Sequence, residues 1–285
     1  MRSENQELKK AALQALLDHC EDTADYQNEL LKAYGAYAES LMKPPCDFDG
    51  ALVPAKKALE IAKNNYDAHQ SEEAALQLAN CYQRLTVCSM NLQQFEAADD
   101  YGFHVLTLLY DMVEKQATFG CVYNLVIAHL TMAKAAEGLR DTGKACLHYQ
   151  MATNHMETLL PYDSTPPLLR QAAQLYFDYG ACLKGDQDYT DESIDAYRRS
   201  VVLFEDLCHA DHTRENANRL GDACRALAAQ LDQRGDHAEA DTLYKKSFEV
   251  MEAFADPEKK KNLEMIKAML QNMIDQDMEE AEDDE

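Results

Sequence analysis

The densest group of side chains that could carry out chemistry is Cys208-His209-Ala210-Asp211-His212. His209 and His212 are three residues apart and could share a helix face, and imidazole with carboxylate suits zinc or another transition metal. The same group falls where one predicted helix ends and the next begins. There a histidine interacts favourably with the last carbonyls, and Asp211 would cap the following helix. We favour this structural interpretation and predict no metal site and no cofactor.

Motifs of the common catalytic classes are missing from the sequence. It contains no Gly-x4-Gly-Lys-Ser/Thr loop, no Gly-x-Gly-x-x-Gly turn, no Gly-x-Ser-x-Gly elbow and no His-Glu-x-x-His helix. Long predicted helices with short connections also leave few loops on which to place catalytic groups. The sequence therefore predicts a protein that is not an enzyme and has no catalytic residues.

The composition excludes several other classes of protein. Among 285 residues, 51 are Asp or Glu and 27 are Lys or Arg, which gives a net charge of −24 and argues against binding nucleic acid or anionic lipid. Only 10 Gly and 7 Pro occur, far fewer than β-rich folds use. No apolar run reaches the ~18 residues of a membrane span. Nine scattered cysteines fit reduced thiols, so we predict a soluble, cytoplasmic protein.

The last eleven residues, 275–285, contain eight acids. Such a block repels itself, so we predict an acidic disordered tail beyond a single helical domain over 1–274. The simplest role is to keep the protein soluble. The alternative is an arm that docks on a basic partner or on basic surfaces of the chain itself.

A repeat of about 48 residues runs through the helical part. Five segments place a small residue, then Ala or Tyr four positions later, then a small or polar residue three further on, and their first positions step by 46, 48, 48 and 47. The segments are Ala51-x3-Ala55-x2-Ala58, Ala97-x3-Tyr101-x2-His104, Ala145-x3-Tyr149-x2-Ala152, Ser193-x3-Tyr197-x2-Ser200 and Ala240-x3-Tyr244-x2-Ser247. Each follows a helix-like run with a small central residue, namely Gly35, Ala79, Ala128, Gly180 or Gly221. The unit is therefore a pair of antiparallel helices.

These residues resemble the tetratricopeptide repeat (TPR), best at Tyr179-Gly180 with Ser193-x3-Tyr197 and at Leu220-Gly221 with Ala240-x3-Tyr244. The period exceeds the family's usual ~34 residues by about 14, so the helices must be longer. The family's signature Trp and closing Pro are missing. The resemblance implies an all-α, right-handed α-solenoid of about five helix pairs with a capping helix at each end.

Helix-start residues and apolar periodicity set the expected boundaries. Thr165-Pro166-Pro167 is an N-cap followed by prolines in the first turn. A lead helix is predicted over 4–20 and a terminal helix over 259–278. The pairs between them are predicted over 23–42 with 50–65, 70–91 with 93–116, 119–140 with 143–160, 166–185 with 190–209, and 212–234 with 236–255.

The resemblance implies that the first helix of each pair lines a concave groove that binds a peptide. Counting from the small central residues gives these groove candidates: Asn80, Gln83, Arg84, His129, Met132, Phe177, Lys184, Asn218, Asp222 and Arg225. The repeats that clamp chaperone C-termini need Lys and Asn at two positions of the first helix. Those positions hold Lys32 with Ala36 and Leu76 with Asn80, so that clamp is not expected here.

The leading hypothesis is a non-catalytic scaffold that binds a peptide or partner protein in this groove. The alternative is a peptide-sensing regulatory protein whose superhelix changes conformation when the ligand binds. Both hypotheses expect a protein or peptide partner, with neither nucleic acid nor membrane involved.

Overall fold

A computed structural model of the chain describes residues 2–18, 24–184, 187–211 and 213–253, together with 265, 266, 268 and 269. Over these ranges the chain forms eleven α-helices, one 3-10 turn at Gln187–Tyr189 and no β-strand. The helices are α1 Arg2–Asp18, α2 Ala24–Met42, α3 Phe48–His69, α4 Glu72–Asn91, α5 Phe95–Lys115, α6 Phe119–Gly138, α7 Thr142–Leu159, α8 Pro166–Leu183, α9 Thr190–Ala210, α10 Arg214–Arg234 and α11 His237–Glu252.

The all-α fold and the five helix pairs predicted from the sequence are confirmed. We call α2, α4, α6, α8 and α10 the A helices and their successors α3, α5, α7, α9 and α11 the B helices. The chain divides into two compact units, Met1–Leu159 with α1 to α7 and Leu160–Glu285 with α8 to α11. One domain over 1–274 stays a prediction.

Capping residues fix where the helices begin. Thr165 is the N-cap of α8 and prolines occupy its first turn, as predicted. Ser71, Thr118 and Thr213 each accept a hydrogen bond from the backbone amide three residues later, which satisfies one of the free N–H groups of a helix start. The expectation that Asp211 caps α10 is wrong, because Thr213 takes that position.

The repeat motif marks where B helices press against A helices. Ser193 Oγ donates to the carbonyl of Gly180 at 2.9 Å, and Ser200 Oγ donates to the carbonyl of Ala173 at 2.8 Å. Because the partner number falls as the serine number rises, α8 and α9 are antiparallel. Ser247, the counterpart of Ser200, donates to the carbonyl of Gly221 at 2.9 Å. Small residues at these positions let the two backbones approach closely.

Helix α6 is the centre of the first unit. It packs against α4, α5 and α7 and contributes Leu125, Val126 and Ala133, each 1 % exposed or less. Among the described helices it is the one long and apolar enough to cross a membrane by length and composition, but 56 % of the stretch is buried. Such burial is typical of the core helix of a globular unit.

Two predictions fall largely or wholly on residues that the structure does not describe. Of the predicted terminal helix 259–278, only residues 265, 266, 268 and 269 are described, and these are helical. The acidic tail 275–285 lies outside the described residues. Eight of the nine cysteines are described, and all eight are free thiols.

Candidate functional site

The A helices of the first unit are tied together by polar side chains that the sequence assigned to the groove. Arg84 of α4 forms an ion pair with Glu39 of α2, with Nε and Nη2 at 2.9 and 2.6 Å from Oε1. The guanidinium packs over Gly35, where an added Cβ would lie 3.4 Å from it, an ordinary contact distance. Gln83 Nε2 donates to Thr131 Oγ1 of α6 at 3.0 Å. Arg84 and Gln83 therefore join neighbouring A helices.

His129 and Met132 lie inside the first unit and do not face a groove. Met132 is 2 % exposed and packs onto Gly102 of α5. His129 is 3 % exposed, although it is polar. The expectation that both face outward is wrong, because they continue the apolar stripe of α6 through Leu125 and Ala128.

Three aromatic rings, those of Tyr110, His148 and His155, surround His129. Tyr110 Oη of α5 lies 2.7 Å from His129 Nε2 and 3.3 Å from Nε2 of His155 on α7. On its other side, His129 Nδ1 lies 3.0 Å from His148 Nδ1, also on α7. The His129 and His155 rings are stacked with centroids 5.7 Å apart. The A helix α6 and the B helices α5 and α7 thus meet at one buried imidazole.

The hydrogen bonds of this cluster are satisfied when all three histidines are neutral. In one consistent arrangement, His155 Nε2–H donates to Tyr110 Oη and the Tyr110 hydroxyl donates to His129 Nε2. His129 Nδ1–H then donates to His148 Nδ1. Burial lowers the pKa of His129 to about 3, with further lowering by His148 and His155. Burial also lowers the pKa values of His148 and His155.

An ion pair borders the cluster on the α5–α7 surface. Lys144 Nζ lies 2.6 Å from both carboxylate oxygens of Asp99. Lys144 helps to lower the pKa of His148, and Asp99 opposes that effect. The ring nitrogens of His129 face two different neighbours, and no three His, Cys, Asp or Glu side chains in the described ranges are placed to hold a metal ion. The cluster is therefore a hydrogen-bonded group that connects buried His129 to the half-buried His148 and His155 and to exposed Tyr110.

The second unit presents a different A-helix face, formed by α8 and α10. Two hydrogen bonds cross between these helices: Arg170 Nη2 donates to Asn216 Oδ1 at 3.4 Å, and Arg219 Nη1 donates to Gln174 Oε1 at 3.1 Å. Gln174 in turn donates from Nε2 to Asp178 Oδ1 at 2.7 Å. From the first bond to the second, the residue numbers increase on both helices, so α8 and α10 run parallel.

A cavity of about 220 Å³ opens on this face. It is lined by Gln174, Phe177, Phe204, Arg219 and Asp222. Phe204 of α9 is 1 % exposed and belongs to the core, whereas Phe177 of α8 is half-buried with its ring edge-on to Tyr197, centroids 5.5 Å apart. The cavity thus combines two aromatic side chains with three polar ones, Gln174, Arg219 and Asp222.

The remaining groove candidates divide into exposed and engaged side chains. Three are exposed: Asn80 on α4, Lys184 directly after the end of α8, and Asn218 on α10. Asp222 forms an ion pair with Arg225, whose Nη1 also donates to Ser247 Oγ at 3.1 Å. Of the ten candidates, the structure brings Phe177 and Asp222 together in one cavity.

Sequence reasoning missed the other polar members of the α8–α10 face, Arg170, Gln174 and Arg219. The signal for Gln174 and Arg219 was their separation of 45 residues, one repeat. Glu39 with Arg84 and Asp99 with Lys144 have the same separation. Complementary polar residues one repeat apart therefore indicate contacts between equivalent helices.

Residues 208–211, the described part of the Cys208–His212 group, do not bring their side chains together in one site. Cys208 is buried in the last turns of α9, and His209 is exposed in the last turn. His212 lies outside the described residues. The backbone carbonyl of Asp211 accepts a hydrogen bond from Asn216 Nδ2 at 2.8 Å, so this segment connects α9 to α10 structurally.

Comparisons with known proteins support the fold. No protein-family model matches the chain, and no curated protein matches it either. A crystal structure of MamA protein is similar at a TM-score of 0.51 and 18 % identity, covering 79 % of this chain and 93 % of that one. A computationally designed self-assembling cyclic homooligomer aligns over 87 % of this chain and 96 % of its own at 14 % identity, but its TM-score of 0.27 is too low to bear on the fold. The likeness to MamA supports an all-α fold built of consecutive antiparallel helix pairs.

Proposed function

We propose that this chain is a non-catalytic protein-interaction scaffold that binds a peptide or an extended segment of a partner protein. The α8–α10 face, defined by Arg170, Gln174, Phe177, Arg219 and Asp222, is the docking surface. As part of the same proposal, the protein acts in the cytoplasm.

The observation that carries this proposal is the cavity at Phe177. Its volume of about 220 Å³ is below the ~300 Å³ at which pockets for small-molecule ligands begin, so it suits one apolar side chain. Half-buried aromatic rings with polar groups around them are typical anchor points at protein interfaces. The TPR-like fold supports the same interpretation, because stacked helix pairs present continuous surfaces to partners.

Preorganisation supports the proposal as well. Gln174 is held by Asp178 on one side and by Arg219 on the other, and the Phe177 ring rests on Tyr197. These side chains are fixed before a partner arrives, so less conformational entropy is lost on binding.

The test is selection of binding peptides from a displayed random library on the immobilised full-length chain. We expect Phe177→Ala to lower the affinity for the selected peptides by about tenfold or more, because it removes an anchor contact. Ala181→Trp is a second variant, because exposed Ala181 lies one turn beyond Phe177 and a large ring there covers the face without removing a core contact.

Val202→Ala is the matched control, since Val202 is 45 % exposed on the B helix α9. Thermal unfolding of each variant establishes that it is folded. Peptides that bind wild type, Phe177→Ala and Ala181→Trp equally would show that the docking surface lies elsewhere.

A further inference from the structure

Two arginines on the α8–α10 face lack a carboxylate partner. Across the described part of the chain, the Arg170 guanidinium meets only the Asn216 amide and the Arg219 guanidinium only the Gln174 amide. Arg170 Nε is buried and has no hydrogen-bond partner. An amide oxygen accepts a hydrogen bond but does not neutralise the positive charge, so both guanidinium groups retain donors and charge for a ligand.

Three other arginines in the second unit form ion pairs with carboxylates. Arg198 pairs with Glu239 at 2.9 Å and Arg234 pairs with Asp191 at 2.8 Å. Arg225 pairs with Asp222. Arg170 and Arg219 thus differ from these three arginines, because the partners of their guanidinium groups are amides and not carboxylates.

The charge of the second unit is divided between its A and B helices. On the A side, α8 contains one base and one acid, and α10 contains four bases and three acids. On the B side, α9 contains two bases and five acids, and α11 contains two bases and four acids. The α8–α10 face is thus the less acidic side of a unit in a chain whose net charge is −24. The helices α8 and α10 together have a net charge of +1 and α9 with α11 have −5, so an anionic group is repelled less at the α8–α10 face.

The position of the two arginines relative to the cavity sets the spacing of the ligand. Arg219 lines the cavity itself, and Arg170 lies one turn before Gln174, about 6 Å along α8. An extended peptide advances ~3.3 Å per residue. A carboxylate that reaches these arginines therefore belongs to a residue within about two positions of the one whose side chain fills the cavity. The positive ends of two parallel helices, α8 and α10, lie on the same side.

We propose that the α8–α10 face recognises an extended peptide segment with an Asp or Glu side chain within two residues of an apolar anchor. The anchor fills the cavity at Phe177, and Arg219 and Arg170 bind the carboxylate. This inference rests on the proposed function, to which it adds the chemical class of the partner.

The experiment uses an array of amidated nonapeptides of Gly and Ser with a central Leu or Phe. One flanking position at a time holds Glu, Gln or Lys, and the full-length protein is the probe. We expect Glu to bind about three to ten times more tightly than Gln at one or two adjacent positions, as for a charge-assisted hydrogen bond at a partly exposed site. The preference should shrink as salt is added, whereas the need for the central apolar residue should remain.

The variants Arg219→Gln and Arg170→Gln separate the inference from the proposed function. Each of the two should abolish the preference for Glu over Gln, while binding still requires the central apolar residue. Phe177→Ala should abolish binding of every peptide. If Glu, Gln and Lys peptides bind equally while Phe177→Ala still abolishes binding, the inference is wrong and the proposed function stands. If Phe177→Ala binds the array as wild type does, both are wrong.

A competing occupant is the chain's own acidic segment 275–285. If Glu peptides bind only after these residues are removed, the site receives an intramolecular carboxylate and the inference of a partner is overturned. Equal binding by the full chain and by the shortened chain supports it.

Discussion

The ring of Tyr197 on α9 rests on the backbone of Gly180 on α8, so that a Cβ added to Gly180 would lie 3.0 Å from Cγ and 3.1 Å from both Cδ atoms. Tyr197 is 2 % exposed, and burial, with a contribution from Asp178, raises its pKa to about 12. The same ring supports Phe177 edge-on. The close approach of α8 and α9 at Gly180 therefore positions the aromatic wall of the candidate site.

Replacing Gly180 by Ala should destabilise the second unit. The added methyl group meets a ring that is buried and cannot move aside freely, so overpacking is expected to cost about 1–3 kcal/mol despite the better helix propensity of Ala. Urea unfolding followed by circular dichroism measures the change. Gly120→Ala in the first turn of α6 is the control, because a Cβ there meets nothing within 4 Å. A Gly180→Ala protein as stable as Gly120→Ala would contradict the packing described.

His129 should make the first unit lose stability in mild acid. The unfolded histidine binds a proton below its ordinary pKa of about 6.5, whereas the buried side chain, with a pKa of about 3, does not. Protons therefore favour the unfolded state between these values, and His129 contributes a loss of about 1.4 kcal/mol per pH unit as the pH falls from 6.5 toward 3.

Unfolding measured from pH 7 to pH 4 tests this, with His129→Asn expected to show a shallower slope. The variant His209→Asn, at an exposed residue of α9, is the control for the substitution itself. Proton NMR of the imidazole Cε1–H groups gives an independent measurement in the wild-type protein. A His129 resonance that titrates near pH 6.5 would rule out the buried neutral state.

The ion pair between Arg84 and Glu39 should stabilise the first unit and have no role in peptide binding. Its side chains are 23 % and 49 % exposed, so solvent screening limits the coupling energy to about 0.5–1 kcal/mol. A double-mutant cycle of Arg84→Gln and Glu39→Gln measures that energy, which should fall in high salt. Arg219→Gln on the α8–α10 face should change stability by less than about 0.5 kcal/mol. A larger loss of stability for Arg219→Gln than for Arg84→Gln would contradict the roles assigned to these two arginines.

The fold could be predicted because its signals are local and repeat along the chain. The predicted helix over 166–185 became α8 at Pro166–Leu183, and that over 119–140 became α6 at Phe119–Gly138. In both cases a capping Thr and an apolar stripe lie within the helix or next to it. The small central residues also predicted where A and B helices touch, as Gly180 shows.

The candidate site could be predicted only in part, because it depends on which polar side chains have partners one repeat away. Arg84 and Gln83 looked free in the sequence, but Glu39 and Thr131 engage them. His129 looked like a groove residue because it is polar. Its position four residues after Leu125 placed it on the buried stripe, and its partner Tyr110 comes from another helix.

Cysteine reactivity should follow burial. Burial raises the pKa of Cys88 to about 11 and that of Cys224 to about 12, so very little thiolate forms at pH 8. Cys46 is exposed beside the start of α3. We expect iodoacetamide to label Cys46 at least ~100 times faster than Cys88 or Cys224, because only the thiolate reacts and access is also restricted. Peptide mass spectrometry at several time points gives the three rates, and labelling in 8 M urea provides the control in which the rates should converge. Rapid labelling of Cys224 in the folded protein would mean that the α10 core face opens to solvent, and the packing of α10 against α9 and α11 would then need revision.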